Sequence, residues 1–123
     1  MNSETQIFLD SVKSICPELT KWELEQFAKK ISVFTLQKKD YFILSGQIQK
    51  DIGFITSGLL RSFFLDNDGN ERTVRFYSEN DYATHYTAFI TQQPSKYTFQ
   101  CLENTCIVLI GFDTMLWAYK SFP

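Results

Sequence analysis

The segment DIGFITSGLLRSFFLDNDGNERTVRFY, residues 51–77, alternates apolar and polar side chains in three short runs separated by turn residues. The runs 52–56, 59–65 and 71–77 are rich in β-branched and aromatic residues, which favour strands. Ser57 and Gly58 join the first two runs, and the segment 66–70 joins the last two. An Asp-Gly pair in that second connection supplies the positive φ angles of a tight hairpin. The segment therefore predicts three consecutive strands joined by short turns.

Strand-like runs continue on both sides of this segment. VFTLQKKDYFIL (33–44) predicts two short strands around a turn at 38–40, and KYTFQCL (96–102) and CIVLIGF (106–112) predict two more. Many short strands at regular spacing favour a sandwich or barrel, and the chain lacks the alternation of strands and helices that marks a parallel sheet. We therefore expect a mainly β fold.

Helices are predicted at both ends of the chain. Ser3 with Gln6, and Thr20 with Glu23, have the spacing of capping boxes. The apolar residues that follow each box recur at helical spacing; they are Phe8, Val12 and Ile15, then Leu24, Phe27, Ala28 and Ile31. DTMLWAYKSF (113–122) predicts a short helix with Asp113 as its N-cap. We expect one domain, with leading helices over 1–31, a β unit over 32–112 and a short helix over 113–123.

Composition excludes several classes of protein. The chain has 123 residues, a net charge of −2, a pI near 5.3 and no dense basic run, so it lacks the footprint of a nucleic-acid or membrane-surface binder. No apolar run approaches the roughly 20 residues that cross a bilayer, and the polar N-terminus has no signal-peptide core. Three cysteines without paired spacing indicate reduced, partly buried thiols in a cytoplasmic protein. A Cys101–Cys106 redox pair stays open as an alternative, although no C-x-x-C motif supports it.

The only histidine, His85, lies in NDYATHYTAFITQQPSKYTF, residues 80–99. A catalytic zinc or iron site usually needs three protein ligands, two of them histidines, so we expect no metal. A hydrolase that uses His85 with Asp81 and a nearby hydroxyl or thiol remains an alternative, although no nucleophile motif accompanies it. The acidic segment 66–71 predicts a hairpin turn, because its glycine does not stand at the sixth position of a calcium loop.

Arg61 and Arg75 stand at alternating positions of the predicted hairpin that can share one face. We interpret them as part of a solvated face with cross-strand partners such as Glu71.

The order of short motifs resembles a known family. Ser45 with Gly46, then FITSG (54–58), DGNE (68–71) and NDY (80–82) follow one another. In this order the chain resembles the sensor domain of the Crp/Fnr family of bacterial transcription regulators, from about residue 15 to 122. The resemblance implies an eight-stranded jelly roll (double-stranded β-helix) flanked by helices. It also implies a non-catalytic, ligand-sensing domain without a cofactor.

In full-length relatives a long dimerisation helix and a helix-turn-helix follow this domain. We expect this chain to be a sensor domain trimmed from such a regulator or a stand-alone domain, and a monomer or weak homodimer.

The resemblance also assigns a ligand cassette. Cyclic-nucleotide-binding relatives have a phosphate-binding cassette that reads Phe-Gly-Glu-Leu, then a short helix, then Arg-Ser or Arg-Ala. On that pattern Thr84 takes the Gly position, His85 the Glu position and Tyr86 the Leu position. Ser95 takes the Arg position and Lys96 the next one, although a shift by one residue would bring Lys96 to the Arg position. The resemblance thus implies a degenerate cassette that binds cyclic AMP poorly and accepts, if anything, a small anionic or planar ligand.

Two alternatives remain. One is a small jelly-roll enzyme of the cupin kind. The other is a dimerisation or partner-binding module whose pocket is filled by its own Tyr82, Tyr86 or Phe89.

We predict that this chain alone binds no DNA with sequence preference, because it lacks a helix-turn-helix and carries net negative charge. An electrophoretic mobility shift at physiological salt measures this directly. A tight shift that depends on the DNA sequence would contradict the prediction.

Overall fold

Two four-stranded antiparallel sheets face each other in the computed structural model, which describes residues 3–121. The helices are α1 (Ser3–Ile15), α2 (Lys21–Ala28), α3 (Tyr86–Thr91) and α4 (Phe112–Ser121). The strands are β1 (Ser32–Leu36), β2 (Tyr41–Ile43), β3 (Asp51–Ser57), β4 (Leu60–Leu65), β5 (Glu71–Tyr77), β6 (Tyr82–Ala83), β7 (Thr98–Cys101) and β8 (Thr105–Gly111). One sheet has the order β1-β8-β3-β6 and the other β2-β7-β4-β5. The predicted fold class, an eight-stranded jelly roll with helices at both ends, is confirmed.

The hairpin β4–β5 forms where the sequence predicts it. Leu60 pairs with Tyr77 and Leu65 with Glu71. The carboxylate of Asp66 accepts hydrogen bonds from the backbone N–H groups of Asp68 and Asn70, each at 2.9 Å. The segment is therefore a hairpin turn closed by its own acidic side chain, as interpreted from the sequence.

The connection at Ser57 and Gly58 does not form a hairpin. β3 and β4 lie in different sheets, and so do β1 and β2 on either side of the turn at 38–40. Turn residues mark where a chain changes direction, but they do not determine which strand becomes the partner. In a jelly roll, strands that are consecutive in sequence can cross from one sheet to the other, so both connections are crossings.

The apolar residues form two clusters, one on each side of the first sheet. The helix-side cluster lies between that sheet and the helices; its buried members are Phe8, Leu9, Phe27, Ile52, Phe54, Phe89, Val108 and Ile110. The inter-sheet cluster fills the space between the two sheets; its buried members are Ile43, Ile55, Leu60, Tyr77, Ala83, Phe99 and Cys101. Strand alternation explains this division, because Ile52 and Phe54 point to one face of β3 and Ile55 to the other.

The second predicted capping box is confirmed and the first is wrong. The Thr20 hydroxyl accepts from the Glu23 N–H, and the Glu23 carboxylate accepts from the Thr20 N–H. Ser3 instead already lies within α1, so it cannot act as its N-cap. Ile15 is also exposed, contrary to the predicted face, because it is the last residue of α1 and lies beyond the packed face.

At the other end, α4 follows β8 without a loop. The helix begins at Phe112, so Asp113 lies in its first turn and is not the predicted N-cap. A carboxylate in the first turn is favourable because it faces the positive end of the helix dipole. Phe122 and Pro123, which the predicted helix includes, lie outside the described residues. Across residues 3–121, no helix is both long and apolar enough to cross a membrane.

All three cysteines are unpaired thiols. Cys101 is buried and Cys106 half-buried, but Cys16 is exposed, contrary to the predicted partial burial. Cys101 and Cys106 lie on β7 and β8, which belong to different sheets.

Gly58 lies at the crossing from β3 to β4, where the backbone passes very close to Thr105. Its φ angle is +120°. A Cβ atom added there would lie 2.6 Å from Thr105 Cα and 2.3 Å from its hydroxyl oxygen. Only glycine adopts this φ without strain and leaves room for the β8 backbone.

We predict that Gly58→Ala lowers the free energy of unfolding more than Gly69→Ala does. Gly69 also has a positive φ, +82°, but an added Cβ meets nothing within 4 Å. The Gly69 variant therefore loses only the conformational term of about 1–2 kcal/mol, whereas Gly58→Ala adds an overpacking cost of about 1–3 kcal/mol. Urea unfolding followed by tryptophan fluorescence measures both values. Equal losses for the two variants would contradict the close approach to Thr105.

Candidate ligand site

The cassette begins where β6 leaves the edge of the first sheet. Ala83 pairs with Gly53 of β3, and the chain then turns into the six-residue helix α3. Phe89 of α3 is fully buried and packs edge-on against Phe112 at a centroid distance of 5.6 Å. α3 is closed by its C-cap residue Gln92, whose φ of 53° lies in the left-handed region that commonly closes helices. Packing of its apolar face on the helix-side cluster therefore fixes the position of this helix.

A buried glutamine, Gln49, holds the start of the cassette. Its side-chain oxygen accepts from the His85 N–H at 3.2 Å, and its amide donates to the Thr84 hydroxyl at 3.0 Å and to the Asp51 carbonyl at 2.8 Å. The Gln92 amide donates to the backbone carbonyl of Gln49 at 3.2 Å, which ties the end of α3 to the same residue. Sequence reasoning missed Gln49, because a glutamine in the loop before a strand carries no distinctive signal.

His85 occupies the N-cap position of α3, but its side chain caps nothing there. Its Nδ1 accepts from the Lys96 N–H at 3.4 Å, and its ring lies 4.8 Å from the ring of Tyr97. Partial burial, and secondarily the positive charge of Lys96, lower the pKa of His85 below its usual value. Both effects favour the neutral imidazole, whose Nδ1 lone pair already accepts from the backbone.

Ser95 is almost completely buried, at 2% exposure. Its hydroxyl donates to the Tyr97 carbonyl at 2.8 Å and accepts from the Tyr97 N–H at 3.2 Å. Its own backbone bonds to Gln47 and Gly46, at 2.8 Å each. Ser95 and Phe99 are buried and Tyr97 is half-buried, whereas Lys96, between Ser95 and Tyr97, is exposed. Ser95 thus faces inward with its hydroxyl proton donated to Tyr97, whereas Lys96 faces solvent.

Tyr86, the first residue of α3, is exposed and points away from the other cassette residues. Its hydroxyl bonds to the hydroxyl of Tyr119 on α4. Desolvation and, secondarily, this hydrogen bond raise the pKa of Tyr119 to about 12, so the Tyr119 phenol stays neutral at ordinary pH. Four of the five predicted residues lie near one another, with Thr84 and His85 at the start of the cassette and Ser95 and Lys96 at its end. The fifth, Tyr86, instead connects α3 to α4.

The aromatic side chain that lies against the cassette is Tyr97, which the sequence analysis missed. It packs on His85 and lies 6.3 Å from Phe64 between ring centroids, and it also contacts the inter-sheet cluster. Tyr82 and Phe89, two of the residues considered for this place, belong to the helix-side packing instead. The sequence did contain a signal for Tyr97. It stands two residues before Phe99, so the two side chains share one face of the strand.

The two arginines of the hairpin lie on opposite faces, so the expectation of a shared face is wrong. Arg61 donates to the carboxylate of Glu71 and to the Thr73 hydroxyl, which confirms the interpretation of a solvated face with cross-strand partners. A register shift between Ser62 and Phe63 pairs Arg75 with Ser62 and places its guanidinium 4.9 Å from the ring of Tyr77. Arg75 is therefore a cation at the rim of the inter-sheet space.

Asp81, the acidic residue of the hydrolase alternative, is engaged away from His85. The Asp81 carboxylate accepts from the Ser78 N–H at 2.9 Å and does not bond to the imidazole. Within residues 3–121, no three side chains of the metal-binding types converge on one point. The arrangement can bind a ligand through backbone, aromatic and cationic groups, but it does not pair a nucleophile with a base.

Comparison with known proteins gives one family match. The sequence profile described as "Cyclic nucleotide-binding domain" matches residues 33–122. No curated protein matches the chain by sequence.

Several solved structures share the fold. The sensor domain of the transcriptional regulator DNR from Pseudomonas aeruginosa has a TM-score of 0.81 at 14% identity, over 97% of this chain and 81% of that one. The Thermus thermophilus catabolite activator protein has a TM-score of 0.75 at 14% identity, over 86% of this chain and 49% of that one. The regulatory subunit of a cAMP-independent protein kinase A from Trypanosoma cruzi, bound to guanosine, has a TM-score of 0.79 at 16% identity, over 95% of this chain and 41% of that one. The chain thus spans less than half the length of the last two proteins, and identities this low show the fold alone.

We predict that Gln49→Leu loosens the cassette. The variant leaves the half-buried His85 N–H without its acceptor, which costs about 1–3 kcal/mol. Amide hydrogen exchange should therefore become faster at His85 and along α3. The control is Gln93→Leu, because Gln93 is exposed and its amide makes only a 3.5 Å contact with Thr91. Equal exchange rates in both variants would contradict the role of Gln49.

Proposed function

The chain belongs to the family of cyclic nucleotide-binding domains, and from that membership we propose that it is a non-catalytic sensor domain of a Crp/Fnr-like transcription regulator with a degenerate cassette. The single observation that carries the proposal is the environment of Ser95. The family's arginine at this position neutralises the phosphate of the nucleotide by charge-assisted hydrogen bonds. Here the position holds a buried hydroxyl that is already used by Tyr97.

The missing arginine has a large energetic consequence. Removing one partner of a buried charged pair costs about 2–5 kcal/mol, which corresponds to a weakening of about thirty- to several-thousand-fold. His85 at the Glu position also lacks an anionic acceptor for a ribose hydroxyl, and its Nδ1 is occupied by Lys96. Inward-facing Ser95 and outward-facing Lys96 support the alignment that leaves the cassette without its arginine, rather than the alignment shifted by one.

The non-catalytic part of the proposal rests on the contacts of His85. Its two partners are a backbone N–H and a tyrosine ring. No described carboxylate orients the imidazole, and Asp81 is committed to its own turn. These contacts weigh against both the hydrolase and the cupin-like alternatives.

A second candidate, a ligand-free partner-binding module, is favoured by one observation. Tyr97 packs on His85 and thereby places the protein's own side chain against the cassette. A small anionic or planar ligand would have to displace this ring or stack on it, with Lys96 as a neighbouring cation that forms no described ion pair. The two candidates therefore differ in whether Tyr97 moves.

We propose a cytoplasmic location and a monomeric or weakly dimeric state for this domain. Any DNA binding of the regulator would depend on a helix-turn-helix outside this chain.

We predict that cyclic AMP and cyclic GMP give no measurable heat in calorimetric titrations at micromolar concentrations. Ser95→Arg should bring cyclic AMP binding into the measurable range, since it restores the inward-facing cation. Lys96→Arg is the matched control, because it adds the same guanidinium one position away, facing solvent; it should restore nothing. Thermal melts confirm that each variant folds. A micromolar dissociation constant for the unchanged protein would refute the proposal, and restoration by Lys96→Arg alone would refute the alignment.

Tyr97→Ala separates the two candidates. If the cassette is a covered ligand site, this variant gains binding of planar anions, which the unchanged protein binds weakly. If the region is a partner-binding module, the variant binds no small ligand and loses stability through the cavity it creates.

A further inference from the structure

Two clefts adjoin each other at one end of the jelly roll, apart from the five cassette residues. The first, about 520 Å³, lies between β2 and the start of β3. The second, about 250 Å³, lies between β2 and the inner face of the first sheet and includes Phe34, Tyr41 and Leu109. Phe42 and Asp51 line both clefts. We call the two together the β2–β3 cleft. Its volume is in the range that holds small ligands.

Asp51 is a carboxylate that takes part in no described ion pair in this cleft, although the charge of Lys50 acts on it. No described residue donates a hydrogen bond to its side chain, and the described ion pairs are Arg61–Glu71 and Arg72–Asp66. Burial raises the pKa of Asp51, and the charge of neighbouring Lys50 opposes this only in part. Lys50 also lines the first cleft, but it forms no ion pair with Asp51. A half-buried carboxylate in this position is stabilised by any cation that reaches it.

The walls around this carboxylate are aromatic and aliphatic. Gly53 makes room for Phe42, because a Cβ there would lie 2.9 Å from Phe42 Cζ and 2.2 Å from Ile107 Cδ1. Phe34 and Tyr41 are both exposed at the second part of the cleft, although each carries a large apolar surface. Aromatic rings around an anionic group attract organic cations through the ring quadrupole and exclude strongly hydrated ions.

We propose that the β2–β3 cleft binds a small organic ammonium ion, with Asp51 as the counter-ion of the ammonium group and Phe42, Tyr41 and Phe34 as the walls for its apolar part. Charge complementarity selects a cation, and the apolar walls select one that carries a hydrocarbon body. The proposal does not depend on the function proposed for the cassette, because none of the five cassette residues lines this cleft.

The test uses hexylammonium chloride as the probe and 1-hexanol as its neutral counterpart of matched length. Two-dimensional amide NMR titrations of the full chain measure both. We expect saturable shifts at Phe42, Asp51 and their neighbours with hexylammonium in the millimolar range, and at least about tenfold weaker binding of hexanol. Equal binding of the two probes, or no saturable shift with hexylammonium, would overturn the proposal.

Variants locate the site. Asp51→Asn keeps the shape of the side chain and should weaken hexylammonium binding at least about tenfold, whereas Asp68→Asn, an exposed aspartate in the β4–β5 turn, should leave it unchanged. Tyr41→Leu removes an exposed aromatic wall and should weaken binding several-fold without unfolding the protein. Unchanged affinity in Asp51→Asn would overturn the assignment. The cleft could instead receive a lysine of a second copy of the chain. Light scattering would then show a dimer that Asp51→Asn dissociates, and hexylammonium would not bind. This result too would overturn the proposal.

Discussion

The close approach of Gly58 to Thr105 is the constraint on which the two-sheet arrangement depends. Ile55 at the inner face of one sheet and Leu60 at the inner face of the other are both fully buried, and only four residues separate them. The chain must therefore cross the gap between the sheets within one short turn, and it does so by pressing its backbone against β8. A longer connection would let the sheets separate, and the inter-sheet cluster would lose contact between its two halves.

The cassette is notable for how many of its polar groups are satisfied from within the protein. The His85 N–H donates to Gln49 and the Ser95 hydroxyl donates to Tyr97, whereas the Thr84 oxygen accepts from the Gln49 amide. In a site that binds an anion, donors such as the first two point toward the ligand and are released to it when it arrives. Here a ligand would have to compete with bonds that are already made, and it would gain only the difference between the two sets.

The sequence predicted most strands and the fold class because alternation and turn chemistry are local properties. The hairpin β4–β5 and the Thr20–Glu23 box followed from a few adjacent residues. The sequence marked turns at 57–58 and 38–40 but not that the chain crosses there from one sheet to the other. Which strands pair depends on which strand faces must be buried against each other, and that is not a local property. The resemblance brought Thr84, His85, Ser95 and Lys96 to one region. It could not reveal Gln49 or Tyr97, whose roles arise from contacts between segments far apart in the chain.

Gln49 has a consequence for how the cassette and the β2–β3 cleft influence each other. Its side chain holds the start of the cassette, and the same residue lines the β2–β3 cleft. A molecule that shifts this amide from the cleft side changes the hydrogen bonds of Thr84 and His85, and a molecule in the cassette changes the wall of the cleft. Thermodynamic linkage requires these two effects to be equal in free energy. Because one amide group is shared by both sites, a ligand bound at either of them would be reported at the other.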